Sequence, residues 1–257
     1  MGVWPICDTD AEHQEHMPVE ETGNMLQLIL AVAQRTGDLD YLEEYWPLLK
    51  KWADYLVKFL PDPGDQLCTD DFMGPSPHNI NLAVKGLVGL ESYAELMRMK
   101  GDKESAELYQ AFANDYYKWF KMMGYDSDHS RLQYNLPDTW SLKYNMVFQN
   151  VINGNLFSKE DMQLEVDYYL KNHFNKYGIP LDNRETFTKA DWLMWVASMG
   201  TRSQFDTICH AFYLYAHETS GRMPISDWYW TINGDVKGFR SRPVMGGIYM
   251  PLLALEH

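Results

Sequence analysis

Apolar side chains recur along the chain in two patterns, and both have helical spacing. In the first, a segment is apolar nearly all round. Met25 to Ala33 (MLQLILAVA) is the clearest example, entered at Gly23-Asn24 and closed at Gly37; a helix of this kind must bury every side. In the second, only one face is apolar. Between Asp40 and Leu60 the positions Leu42, Tyr45, Leu49, Trp52, Leu56 and Phe59 advance by threes and fours and draw one stripe. Glu43, Glu44, Lys50, Lys51, Asp54 and Lys58 take the other side, and Pro61 and Pro63 end the segment.

The two kinds alternate. Further helices are expected at Asn79 to Met99, Lys103 to Met123, Ser141 to Ile152, Lys159 to Phe174, Lys189 to Met199, Ser203 to Thr219 and from Val244 to the end, with no strand alternation over more than four residues between them. All-round apolar, inner helices begin near 24, 79, 141, 189 and 244, a repeat of roughly fifty-five residues. Inner helices buried on all sides with amphipathic outer partners predict an all-α fold, an (α/α) toroid of helical hairpins. About nine helices do not close a ring of six hairpins. The expectation for 1–257 is therefore a single helical-hairpin domain that forms an incomplete ring, the C-terminal part of a larger one, with outer, inner and outer helices lying upstream. Its open ends would bare the flanks of Met25–Ala33 and Val244–Leu255 and favour self-association.

Composition narrows the function classes. A net charge of −14 without a basic cluster excludes a nucleic-acid partner and an anionic membrane surface. The apolar run Leu28–Ala33 is far short of the ~20 residues that span a bilayer. Cys7, Cys68 and Cys209 are odd in number and have no metal-ligand spacing. Met1-Gly2 and Leu255-Glu256-His257 read as cloning-derived ends, so that an export signal would belong upstream.

If the inner helices run parallel, the loops entering them share one end of the ring. These are the long acidic and aromatic segments, whereas RTGD (35–38), KGDK (100–103) and GTRS (200–203) at the other end are short turns. Such one-sidedness suits an active site that takes a small-molecule substrate. The entering loops offer Glu20 and Glu21; Asp70 and Asp71; Asp138, Trp140 and Lys143; Asp182, Arg184, Glu185 and Asp191; and Asp227, Trp228 and Arg242. Carboxylates facing one cleft can split acid and base work between them. Each also has a structural use: Glu20 and Glu21 at the positive end of a helix, Asp70 and Asp71 in a turn, Asp138 as a cap. Glu20 or Glu21 is the expected general acid and Asp71 or Asp182 the base, with the other residues named lining the substrate site. His13-Gln14-Glu15-His16 lacks the zincin frame, and Asp8, Asp10 and Glu12 begin a calcium loop that His13 and Val19 break. There is no glycine-rich phosphate loop and no nucleophile elbow, so neither metal nor cofactor is expected.

The strings MPVEETGNM (17–25), CTDDFMGPSPHNINLAVKGLVG (68–89), YNLPDTWSLKYN (134–145), YGIPLDNRETFTKADWLMW (177–195), RMPISDWY (222–229) and FRSRPVMGG (239–247) resemble the glutaminase A family, whose helical part belongs to the six-hairpin glycosidase superfamily. The resemblance implies export from the cytoplasm and an upstream β-sandwich domain. It implies hydrolysis of glutamine or a related amide to the acid and ammonia; for such a substrate the chemistry of Arg184 or Arg242, rather than the resemblance, suits them to hold the α-carboxylate. The superfamily also suggests an inverting glycoside hydrolase, with Trp140, Trp192, Trp228 and Trp230 as stacking faces for sugar. A non-catalytic binding module that kept only the ring is the third reading.

Overall fold

The computed structural model describes residues 17–69 and 76–254. Among these are nine α-helices: α1 (Pro18–Thr36), α2 (Trp46–Phe59), α3 (Ile80–Lys100), α4 (Lys103–Met123), α5 (Phe148–Val151), α6 (Lys159–Asn172), α7 (Ala190–Ala197), α8 (Arg202–Glu218) and α9 (Met250–Ala254). Three-residue strands β1 (Phe187–Lys189) and β2 (Trp228–Trp230) pair antiparallel, with Thr188 opposite Tyr229. This two-stranded ribbon is shorter than any alternation the sequence can show, and the fold remains all-α.

Helix ends follow local chemistry. Pro18 stands in the first turn of α1, where its missing N–H costs nothing, and Gly37 closes it with φ 68 and an N–H bond to Ala33 O. Asn79 caps α3 by accepting from Leu82 N, and Asp102 caps α4 by accepting from Ser105 N. Capping boxes open α6 (Ser158 with Asp161) and α8 (Thr201 with Gln204).

The inner segments are α1, α3, the 3₁₀ turn Tyr144–Val147 with α5, α7, and the 3₁₀ turn Pro243–Tyr249 with α9. They pack in that succession and run the same way. Asn145 of the third bonds Asn81 at the start of α3, while Gln34 near the end of α1 donates to Ile152 O at the end of the third. The rings of Tyr144 and Phe148 meet Trp192 and Trp195 in the same order along α7. Outer helices α2, α4 and α8 cover α1 and α3, α3, and α7 respectively. Lys121 and Tyr117 of α4 hold Asp161 at the head of α6 at 2.7 and 2.6 Å.

Helix α3 meets the inner-helix expectation, with nearly every residue from Ile80 to Met97 buried. Helix α1 does not. Val19, Leu26, Leu30 and Ala33 are buried, but Leu28 is 58% and Val32 39% exposed. At the other end of the succession Tyr249, Leu252 and Leu253 also face solvent. Both terminal inner segments thus leave apolar flanks uncovered among the described residues.

Two starts are displaced from expectation. Gly23-Asn24 does not open α1, which begins at Pro18, so Glu20 and Glu21 lie in its first turn rather than in a loop. Gly23 is instead where α1 crosses α3: a Cβ on Gly89 would sit 2.8 Å from Gly23 Cα, and one on Gly23 would sit 2.9 Å from Lys85 O. The third inner segment begins as a 3₁₀ turn at Tyr144, not at Ser141. Ser141 pairs with Asp182 and Leu142 N–H donates to Leu181 O at 2.7 Å, which holds that stretch extended.

Because backbone, not a flexible side chain, fills the space beside Gly89, Gly89→Ala should force α1 and α3 apart. The expected loss is about 1–3 kcal/mol of unfolding free energy, the usual cost of overpacking. It would be measured as a lowered urea midpoint at constant slope; an unchanged midpoint would show that the crossing yields freely.

Candidate active site

The ribbon β1–β2 leads directly into α7 and brings four charged side chains together. Lys189, the last residue of β1, is 1% exposed, and its ammonium contacts Asp227 Oδ2 and lies 3.8 Å from Asp191 Oδ1. Asp227 precedes β2 and is fully buried; Arg242 Nη2 approaches the same Oδ2 at 3.4 Å. Asp191 stands in the first turn of α7, where the β-carbon lies so close to the chain at 247 that a Cβ there would be only 2.7 Å away. Glycine at 247 thus lets the last inner segment reach the site.

Polar atoms in this cluster outnumber their partners. Asp191 Oδ1, Asp227 Oδ1 and Arg242 Nε are buried and have no hydrogen-bond partner among the described residues. Leaving such atoms unmet costs about 1–3 kcal/mol each, so three close together call for a further partner, an ordered water or a ligand. Burial pushes the Asp191 carboxyl above its usual range, aided by the charge of Asp227. Lys189 and the backbone N–H groups at 191 and 192 oppose that shift without cancelling it. The protonated form of Asp191 is thus favoured more than in an exposed aspartate.

A second charged pole lies across the inner face. Lys85 of α3 is buried, donates to Asn24 Oδ1 at 2.6 Å and stands 3.6 Å from Glu20 Oε1. Burial lowers its pKa, and Glu20 works against that. The ammonium also lies 4.6 Å from the ring centre of Phe148, whose edge meets Trp195, and Trp195 Nε1 donates to Gly247 O. The two poles are thus joined by a run of rings through Phe148 and Trp195, with Tyr144 stacked on Trp192 at 4.5 Å beside them.

Of the residues nominated from sequence, the structure gathers Asp191, Asp227, Trp228 and Arg242, and puts Glu20 at the second pole. Glu21 is solvent-exposed. Asp138 sits in an exposed turn with φ 60, its N–H donating to Asp126 Oδ2. Asp182 is held by its neighbour: Arg184 contributes Nε, Nη2 at 2.7 Å and its backbone N–H, so this pair braces a turn. Trp140 is buried with its face stacked on His173 at 4.0 Å, closed to a sugar ring. Lys143 is buried, with its ammonium bonded to Ser141 O and Oγ. Asp70 and Asp71 lie outside the described residues, as do Cys7 and the acidic and histidine run at 8–16.

Lys85 and Lys189 were not nominated from sequence, yet each had a signal. Lys85 interrupts the otherwise apolar NLAVKGLVG, and Lys189 stands just ahead of the apolar WLMWVA. A lysine inside a buried helix, or at its mouth, requires an internal carboxylate. A separate concavity of 910 Å³ beside α8, lined by Phe174, Lys176, Arg202, Asp206, His210 and Leu214 among others, contains none of these residues.

Comparison with known proteins agrees with the architecture. Residues 1–252 match the family described as the glutaminase A six helical-hairpin domain. The chain is 34% identical over 246 residues to glutaminase A of Aspergillus oryzae, covering 93% of this chain and 36% of that protein. It is 26% identical over 329 residues to an Arthroderma benhamiae protein named "Probable glutaminase", covering 94% and 38%. The chain thus spans little more than a third of the length of these curated relatives. It belongs to the glutaminase A six-hairpin family.

Asp191 gives a test of the electrostatics that needs no substrate. The unfolded carboxyl ionises near pH 3.9. In the fold ionisation is deferred to higher pH, so the folded state binds the extra proton and loses stability as pH rises through that window. Asp191→Asn cannot ionise. It should melt at a higher temperature than the wild type at pH 7, and the difference should close as pH falls below about 3.9. Equal melting at pH 7 would show that burial does not govern this carboxyl.

Proposed function

We propose that this member of the glutaminase A family is a hydrolase of small amides of the glutamine type, with Asp191 and Asp227 as its acid–base pair. The observation that carries the reading is the sharing of one buried lysine by two carboxyl groups, each with an oxygen that the protein leaves unmet. Water bound at Asp227 Oδ1 would lose a proton to that carboxylate as it attacks the amide carbon. Protonated Asp191 would deliver its proton to the nitrogen as the C–N bond breaks, releasing ammonia. The two side chains then exchange their protons through solvent. Arg242, with Nε unmet, anchors the substrate carboxylate; Arg184 is already occupied by Asp182. Glu20, beside Lys85, is a further candidate carboxylate, and Asp71, outside the described residues, is a candidate from the sequence alone.

A second reading, glycoside hydrolysis, uses the same pair of carboxyl groups, with the half-buried indole of Trp230 on β2 close by in sequence. A panel of glutamine, asparagine and aryl glycosides separates the two. Under the first reading, purified protein releases ammonia from glutamine, and Asp191→Asn and Asp227→Asn each cut turnover by about 10²–10⁴-fold. Arg242→Ala should raise KM for glutamine while sparing an amide without an α-carboxylate. Glycoside cleavage with no ammonia release would replace the first reading by the second. Wild-type turnover in Asp191→Asn would remove this pair from either.

A further inference from the structure

The chain between β2 and the last inner segment, residues 231–242, ends at Arg242, whose Nη2 lies 3.4 Å from Asp227 Oδ2. It is exposed along most of its length, so its contacts with the ribbon must position that arginine. The Lys237 ammonium stands 5.1 Å from the ring centre of Trp230, 5.6 Å from Phe187 and 5.7 Å from Trp228, a cation facing three π systems at once. Its backbone N–H donates to Trp228 O. The next residue lies flat against the same indole, for a Cβ on Gly238 would be 2.6 Å from the ring, and Phe239 then stacks on Trp228 at 5.2 Å. Ser226 Oγ donates to Phe239 O and so ties the strap back to the residue before Asp227. Finally the Arg242 guanidinium lies 4.3 Å from the ring centre of Phe239 before it reaches Asp227.

We infer that Lys237 is a positioning residue: caged by Phe187, Trp228 and Trp230, it pins the 231–242 strap and, through Trp228 and Phe239, sets Arg242 against Asp227. Its consequence for substrate rests on the carboxylate-anchoring role proposed for Arg242; the pinning itself does not. Two readouts keep them apart. The first needs no substrate: chymotryptic cleavage after Phe239, whose rate follows the opening of the strap. Lys237→Met keeps the aliphatic stem and removes the cation, and should speed cleavage about fivefold, the worth of one exposed cation–π contact. Lys237→Arg should restore the wild-type rate. The second is kinetic. Lys237→Met should raise KM for glutamine about fivefold with kcat held within about twofold, and should add nothing to the KM of Arg242→Ala. Cleavage unchanged in Lys237→Met, or not restored by arginine, overturns the inference. So does a KM rise that multiplies with that of Arg242→Ala. If the wild type hydrolyses no glutamine, the proposed function fails and the pinning is judged on cleavage alone.

Discussion

A charge taken out of water must be met by another, and the inner face of this protein is arranged around two lysines to which that applies. Lys189 lies between Asp227 and Asp191; Lys85 lies against Glu20, Asn24 and the face of Phe148. Each lysine draws together segments far apart in sequence. Lys85 joins α3 to α1 and to the third inner segment. Lys189 joins β1 to α7 and to the residue that opens β2. Removing Asp227 from beside Lys189, or Glu20 from beside Lys85, would leave the lysine buried with less compensation, which costs more than the pair contributes.

Close helix packing makes this possible. Glycine at 23, 89 and 247 removes a β-carbon at a place where backbone or Asp191 already fills the space. The inner segments therefore approach until short polar side chains reach across. Asn145 meets Asn81, and Gln149 meets Glu91 at 2.7 Å toward the opposite end. Glu91 is itself held above the usual carboxylate range by burial, with bonds from Gln149 and the backbone at 155 and 156 acting against it. The two ends of the inner segments thus use the same device, a buried carboxyl supported by amides or cations.

Much of this is legible in the sequence. The limits of α3 and α4 follow from apolar spacing and from Asn79, Gly101 and Asp102, because a cap and a period are local properties. The amphipathic stripe through Leu42, Leu49 and Leu56 is buried as its spacing requires, although Tyr45 of the same stripe faces solvent. Asp191, Asp227, Trp228 and Arg242 could be named because they stand in long loops entering apolar helices. Gly23 misled, since a glycine that lets two helices touch reads like one that breaks a helix. Trp140 and Lys143 misled too: an indole or ammonium offered to a ligand has the same letter as one stacked on His173 or bonded to Ser141.

The sequence by itself determined the all-α class and the alternation of inner and outer helices. These depend on periodicity and on side chains within a few residues of one another. Only the tertiary structure decided which carboxyl groups keep an unmet oxygen, which are neutralised by a neighbour such as Arg184, and which side of α1 stays in water. Those outcomes depend on distance and burial between segments tens of residues apart. Burial and charge pairing alter a carboxyl's chemistry through the groups that surround it in space, and the order of residues along the chain does not list them.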